Sequence, residues 1–502
     1  MKSSAIDASQ LSKKAMLTFV VSFLFAPLGL GQTITLSPKL GPPTIQTLVS
    51  GSGFSANAAI DIYFDTTDQA LAIANSSGAF SNIAIQIPAT AAPGNHYVSA
   101  VQRSNSTGAQ TTFNVSASWT QFGNGTSHHG TNIYENVLNP SNVSSLDLLW
   151  SFATGNFVAS PVAVVNGVVY TGSDDGSIYA INATTGAKLW SYYTGSNLIY
   201  GSPAVVSGVV YAVAANGSSS NILALNASTG TVIWNVPMGE FIEVAPTVAN
   251  GVLYLGTTSD HVYALKTTNG AVIWSYTTGG YISGEVAVSN GVVYAGSSDG
   301  KLYALNTSSG SLIWSVPLAQ YVGTPALGEG LVYVGTGSSH NLYAVNAANG
   351  SVVWTFTANN IINGSSPIIS NGVVYVGSQD FNVYALNART GSLLWQYTTG
   401  ANVISAPAEA NGVVYVGSVD DNFYALNAAT GALLWSYSTG GWASSPVVVN
   451  GMVFAGSLDS KIYAFALGIP SKGPRRPGLR SLHPDLSLTA SRSARILPGS
   501  ED

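Results

Sequence analysis

Three glutamates break the regularity of a chain otherwise built from short apolar phrases. Glu285 stands where the other copies of a recurring phrase have Ser, Ala or Thr just before Pro. Glu243 lies three residues ahead of Pro246, and Glu409 falls where the other copies have Val, Leu, Ile or Ala. Carboxylates gathered at a common point could hold a cation through oxygen ligands, or a basic ligand through charge. The plain alternative is that all three are solvated side chains in a wet channel. A second acidic series, Asp174, Asp260, Asp299, Asp380, Asp420 and Asp459, recurs after Val-Val-Tyr-type runs and reads as Asx-type turn formers. His128 and His129 are adjacent and could ligate a metal, although a solvated loop pair is the preferred reading. There is no cysteine, which removes disulfides, thiolate metal sites, a thiol nucleophile and lipidation on cysteine. A Gly-rich phosphate loop, a serine elbow and an HExxH pair are absent as well. No residue is assigned to catalysis, to cofactor binding or to a metal.

The elements that position these residues follow from internal repetition. The phrase A-x-N-x-x-T-G-x-x-x-W, or a near variant, ends at Trp190, Trp234, Trp274, Trp314, Trp354, Trp395 and Trp435, at spacings of 44, 40, 40, 40, 41 and 40 residues. Between the tryptophans come S-P-x-V, then N-G-V-V-Y-x-G-S, then x-Y-A-L-N. A period near 40 with four short strands and no helical periodicity indicates a β-propeller. The innermost strand starts at the Ser-Pro, where proline at a strand's first residue costs no ladder bond. The Thr-Gly pair makes the hairpin into the Trp-bearing strand, with Gly where φ is positive. Eight copies of the first two strands occur, but the last copy stops at Leu467 without its own Thr-Gly or Trp. The missing strand lies upstream, in Leu148–Gly155 with Trp150. The expectation is therefore an all-β protein with an eight-bladed propeller over 148–467, closed by its N-terminal strand. Trp150 and the seven repeat tryptophans are its docking side chains. Glu243, Glu285 and Glu409 sit on or beside innermost strands and are expected to face the channel.

Composition fits this reading. Only 8% of the 502 residues are charged, yet 46% are hydrophobic, in short Val-, Ile-, Leu- and Tyr-rich runs. Between 143 and 467 there are 14 Asp or Glu and five Lys or Arg. That acidic balance argues against nucleic acid and anionic lipid as partners. Lys13 and Lys14 precede an apolar run from Ala15 to Leu28, so residues 1–31 read as a secretory signal and the mature chain has no membrane span. Residues 33–116 alternate polar and apolar positions between turn clusters and suit a small β-sandwich. Residues 117–147 lead into the repeats. Residues 468–502 hold six of the 16 basic residues and read as a disordered tail.

These residues resemble two families. The stretch from SGSGFSANAAIDIYF to PGNHYVSA is similar to bacterial immunoglobulin-like modules of secreted proteins. The Trp-ending motif resembles the docking motif of the quinoprotein dehydrogenase propellers, which carry pyrroloquinoline quinone (PQQ). The lead-in WTQFGNGTSHHGTNIYENVLNPSNVSSLDLLW is similar to the segment before the first blade of secreted PQQ-like repeat proteins. The family motif often has Asp where this chain has Asn182, Asn226, Asn306, Asn346, Asn387 and Asn427, with Lys266 in the third copy. The resemblance implies PQQ and calcium over the channel, held by carboxylate and Asn ligands. This chain lacks the cysteines of the vicinal disulfide on which many members stack the quinone, and its repeats carry almost no insertions. No cofactor is expected. The function expected is a secreted, periplasmic or cell-surface scaffold, monomeric and non-catalytic, that binds a protein, peptide or glycan. The alternatives are a PQQ- and calcium-dependent oxidoreductase and a surface structural protein. The architectural analogy is to the eight-bladed lipoprotein scaffold of outer-membrane protein assembly, without its lipid-bearing cysteine.

Overall fold

The computed structural model describes residues 31–196, 198–362 and 364–468. The signal-like start and the basic tail fall outside the described residues.

Two sheets form first along the chain. One has three strands, Thr33–Ser37, Gln46–Ser52 and Phe80–Gln86; the other has five, including Ala59–Phe64, Gly94–Gln102 and Gly108–Val115. Alternating residues from both, among them Val49, Ile60, Ile62, Ile85, Val98 and Phe113, meet in one buried cluster. The polar–apolar alternation of these runs therefore does what period-two patterning does in half-buried strands. Asp61 is buried here and accepts a bidentate pair of hydrogen bonds from Arg103 at 2.7–2.9 Å.

From residue 147 to 466 the chain is all β and forms a PQQ-like β-propeller of four-stranded antiparallel sheets. In the first, Ala163–Val165, Val168–Gly172, Ser177–Asn182 and Lys188–Tyr193 follow in order from inside to outside. Six more sheets repeat this order. In the last, Val447–Val449, Met452–Ser457 and Lys461–Ala466 are completed by Asp147–Ala153 from the start of the array. The join keeps the register of an ordinary hairpin. Ala464 pairs with Trp150 and Tyr463 with Ser151, as Ala180 pairs with Trp190 and Tyr179 with Ser191, and a bulge follows at the same place in both. Most innermost strands have only three residues and start one residue after the Pro, later than the Ser-Pro boundary expected from the sequence. Leu198–Val206 is the long exception.

The tryptophans hold each sheet to the next. The Trp354 indole N–H donates to the carbonyl of Ala388 at 2.8 Å, and the Tyr333 hydroxyl reaches the same carbonyl at 3.2 Å. Equivalent bonds run from Trp150 to Ala183, Trp190 to Ala227, Trp234 to Thr267, Trp274 to Thr307, Trp314 to Ala347 and Trp395 to Ala428. The indole also covers the hairpin glycine of the next sheet. At Gly391, φ is +70° and a Cβ would lie 2.6 Å from the Trp354 ring, so backbone and packing both require glycine. The eighth sheet has no such hairpin, and Trp435 donates instead to Leu146 of the lead-in at 3.0 Å.

Cutting Trp354 back to alanine removes an indole that is 9% exposed, together with its hydrogen bond. Trp354→Ala is expected to cost roughly 3–5 kcal/mol of unfolding free energy, read from the midpoint of urea denaturation at unchanged slope.

Candidate functional site

The innermost strands are short and apolar, and they leave a channel that the chain itself fills. Residues 119–132 thread past the inner strand of all eight sheets in sequence order. Trp119 exchanges two backbone hydrogen bonds with Val164, at 2.7 and 2.8 Å. The amide of Val205 donates to Thr120, that of Val248 to the Gln121 side chain, and that of Val288 to Thr126. Leu327 donates to Ser127, Ile369 to His129 and Glu409 to Gly130; the Asn132 side chain closes the circuit on the Val448 carbonyl at 3.0 Å. Phe122 packs between Ala245 of the third sheet and Ala406 of the seventh. One side of the channel is thus occupied by a belt of protein. Nothing in the sequence of 117–147 announces this, because the bonds come from an irregular backbone with no periodicity.

The histidine pair belongs to the belt. His128 is 1% exposed, which corrects the solvated reading for that residue, whereas His129 is exposed. Its Nδ1 lies 3.0 Å from the Pro325 carbonyl and its ring stands edge-on to Phe122, with centroids 5.2 Å apart. The nearby acceptor fixes the proton on Nδ1. Burial pushes the imidazole down to about 4, against the pull of that carbonyl. Burial lowers His129 as well.

The three glutamates are each engaged separately. Glu285 accepts a hydrogen bond from the Thr324 hydroxyl at 2.7 Å, and burial raises its carboxyl. Glu243 is half-buried in the loop before the third inner strand and is raised by the same cause. Glu409 is buried; its carboxylate accepts from the Ser370 hydroxyl at 2.7 Å and from the Gly412 amide at 2.9 Å. It therefore bonds to the sixth sheet and to its own turn. Among the described residues no three His, Asp or Glu side chains are placed to share an ion.

The recurrent aspartates join the loops. Asp380 accepts from the Asn382 amide through Oδ1, and from the Tyr384 hydroxyl and the Asn359 amide through Oδ2. Asp175, Asp420 and Asp459 repeat most of this pattern, and Asp299 most of it too. Burial opposes ionisation at these sites. The hydroxyl and amide donors outweigh it and hold Asp175, Asp299 and Asp380 below the usual carboxylate range; at Asp459 the Lys461 ammonium leads the same effect. Two assignments change. In the first sheet the hub is Asp175 rather than Asp174, whose carboxyl burial pushes up to about 6. In the third, Asp260 sits one residue late, at φ +67°, and Glu240 from the adjoining loop takes the tyrosine, Tyr263, at 2.8 Å. The hairpin Asn residues bond to their own turns: Asn226, Asn387 and Asn427 each accept two backbone amides.

Comparison with known proteins agrees with this architecture. The family described as outer membrane protein assembly factor BamB matches residues 141–280, 260–409 and 399–468. A tetrathionate hydrolase from Acidithiobacillus ferrooxidans is 30% identical over 142 residues, 26% of this chain and 27% of that protein. The crystal structure of BamB from Moraxella catarrhalis superposes with a TM-score of 0.55 at 21% identity, over 64% of this chain and 100% of that one. Quinohemoprotein alcohol dehydrogenase from Comamonas testosteroni superposes with a TM-score of 0.62 at 15% identity, over 72% and 82%. At these identities the two structures share the fold. The chain spans about a quarter of the length of the curated relatives it matches.

The belt makes stability depend on pH. His128 titrates lower when folded than when unfolded, so its contribution is complete above the ordinary value of 6.5 and is lost as pH falls toward 4. The loss is on the order of 3 kcal/mol. Unfolding free energy measured against pH for the unsubstituted chain and for His128→Gln is expected to diverge through this window. The glutamine variant should be the flatter of the two.

Proposed function

The chain belongs to the family described as outer membrane protein assembly factor BamB, and from that premise we propose that it is a non-catalytic scaffold for a protein, peptide or glycan partner. The observation that carries this reading is the belt. With one side of the channel occupied by residues 119–132 and short loops at its other mouth, recognition falls to an extended rigid surface.

In this reading the sheets of residues 148–467 are the eight blades of one closed ring. The innermost strands of successive sheets adjoin all the way round, Val447–Val449 meeting Ala163–Val165, which supports closure. Residues 33–116 are an immunoglobulin-like β-sandwich, 117–147 the belt and its continuation, 1–31 a secretory signal and 468–502 a tail. Placement in the periplasm, at the cell surface or outside the cell rests on that signal. Among the described residues no helix is long and apolar enough to cross a membrane. A protein partner is in keeping with a family named for an assembly factor.

The second reading is a PQQ- and calcium-dependent oxidoreductase, favoured by the fold shared with quinohemoprotein alcohol dehydrogenase. The donor set does not fit it. Glu285 and Glu409 bind separate hydroxyls, Glu243 joins no described ion-sharing trio, and there is no cysteine for a vicinal disulfide.

Affinity capture with the full chain from its native envelope or medium is expected to recover one specific partner in stoichiometric amount. Incubation with PQQ and calcium, then desalting, is expected to leave no quinone absorbance and no dye-linked turnover of alcohols or sugars. Turnover that requires the quinone would overturn the reading.

A further inference from the structure

Loops run from the outer strand of each sheet to the inner strand of the next, and each presents one residue at an equivalent position. The carbonyls of Phe157, Phe241, Tyr281, Tyr321 and Trp442 accept backbone hydrogen bonds from Asp174, Thr258, Ser298, Gly337 and Leu458, each in the adjoining hairpin turn. In each case the next residue is buried, so the aromatic ring faces away from the core. Around the mouth these five residues form an arc. It runs from Trp442 through Phe157, past Leu198 on the second sheet, to Phe241, Tyr281 and Tyr321, and it ends at Ile361 and Asn402. Phe157 and Trp442 are each 45% exposed. The rings of Tyr281 and Tyr321 lie 6.3 Å apart between centroids. Phe241, Tyr281 and Tyr321 are half-buried, and aromatic residues repeated at one register on one face, two of them exposed, mark a contact surface.

Charge is divided between the two faces. All of the 14 acidic residues between 143 and 467 except Asp147, Glu329 and Glu409 lie in the loops and turns of this mouth. Among the described residues the lysines on this face, Lys301 and Lys461, are already paired with Asp299 and Asp459. The turns of the opposite face are mostly Asn-Gly, as at Asn166–Gly167 and Asn250–Gly251, and that side of the channel holds the belt. A face that is both aromatic and negative attracts cations twice, through the ring quadrupoles and through net charge.

We propose that this rim docks a cationic segment of a partner polypeptide, with lysine or arginine side chains laid against the rings of the arc. The proposal rests on the partner-binding reading above and specifies the partner's chemistry. Neutral glycans and apolar peptides would use the rings but gain nothing from the acidic excess, so charge complementarity selects the basic segment.

The probe is a blocked, fluorescein-labelled oligo-arginine peptide, titrated with the full chain at near-physiological salt and followed by anisotropy. Saturable binding is expected. The double variant Phe157→Ser with Trp442→Ser, which alters no charge, should weaken it by about tenfold or more. Thr126→Ser, on the belt side, should leave it unchanged, and circular dichroism should show all variants folded. No binding would overturn the proposal. So would equal affinity in the aromatic double variant, which is the mark of diffuse electrostatics, or equal binding of a Gly-Ser peptide or of malto-oligosaccharide. If the double variant still captures the native partner undiminished, the rim is not the site and the scaffold reading survives. If neither protein captures any partner, that reading fails on its own.

Discussion

One contact, made seven times from sheet to sheet and an eighth time to the lead-in, determines the shape of this molecule: an indole N–H of one sheet donating to a backbone carbonyl beyond it. A β-sheet has two faces, and a four-stranded sheet alone would leave both wet. Docking the outer strand's tryptophan onto the neighbour's hairpin fixes the spacing and angle of successive sheets. It also places the strand-two tyrosine beside it, with Tyr333 and Trp354 sharing one acceptor. The glycine under each indole is the complement of that contact. A side chain there would meet the ring, and its backbone is left-handed in any case. Where the pattern cannot be completed, at the eighth sheet, the lead-in supplies Leu146 as the substitute acceptor. The substitution leaves a trace. Tyr415, whose counterparts reach a hairpin carbonyl, is buried with its hydroxyl unpaired among the described residues.

The lead-in thus serves two ends. It supplies the missing acceptor at the seam, and before that it laces the inner strands together. Three-residue inner strands leave ladder positions open toward the axis, and buried amides without partners are costly. The belt satisfies one such amide or carbonyl on each sheet. Occupying one side of the axis with chain is what turns the proposed recognition toward the rim.

The sequence made some of this legible and hid the rest for identifiable reasons. The tryptophan repeat, the Thr-Gly hairpins and the strand carrying Trp150 are local signals with fixed spacing, and the register at Ala464 and Trp150 follows from them. The belt depends on long-range pairing of irregular backbone, for which no local pattern exists; hence His128 read as solvated although it is buried. The aspartate series was misplaced by one residue in the first and third sheets. Asp174–Asp175 offers two candidates, and Glu240 acts from a different loop. Glu409 stands out in the sequence because it replaces an apolar residue on an inner strand, but that local signal does not name its partners, Ser370 and Gly412. Compositional signals such as low charge and absent cysteine constrained the chemistry without locating a surface.

The central claim is that residues 119–132 are a structural part of the propeller and seal one side of its axis. Native-state hydrogen exchange, resolved by residue, tests it most directly. The amides of Trp119 and Asn132, and those of Val205, Val248, Val288, Leu327 and Ile369 that donate to the belt, are expected to exchange only through global unfolding, with the protection of the second-strand core. Exchange of these amides at the rate of a surface loop, with the rest of the propeller still protected, would show that the belt is not held in the channel and would contradict the account.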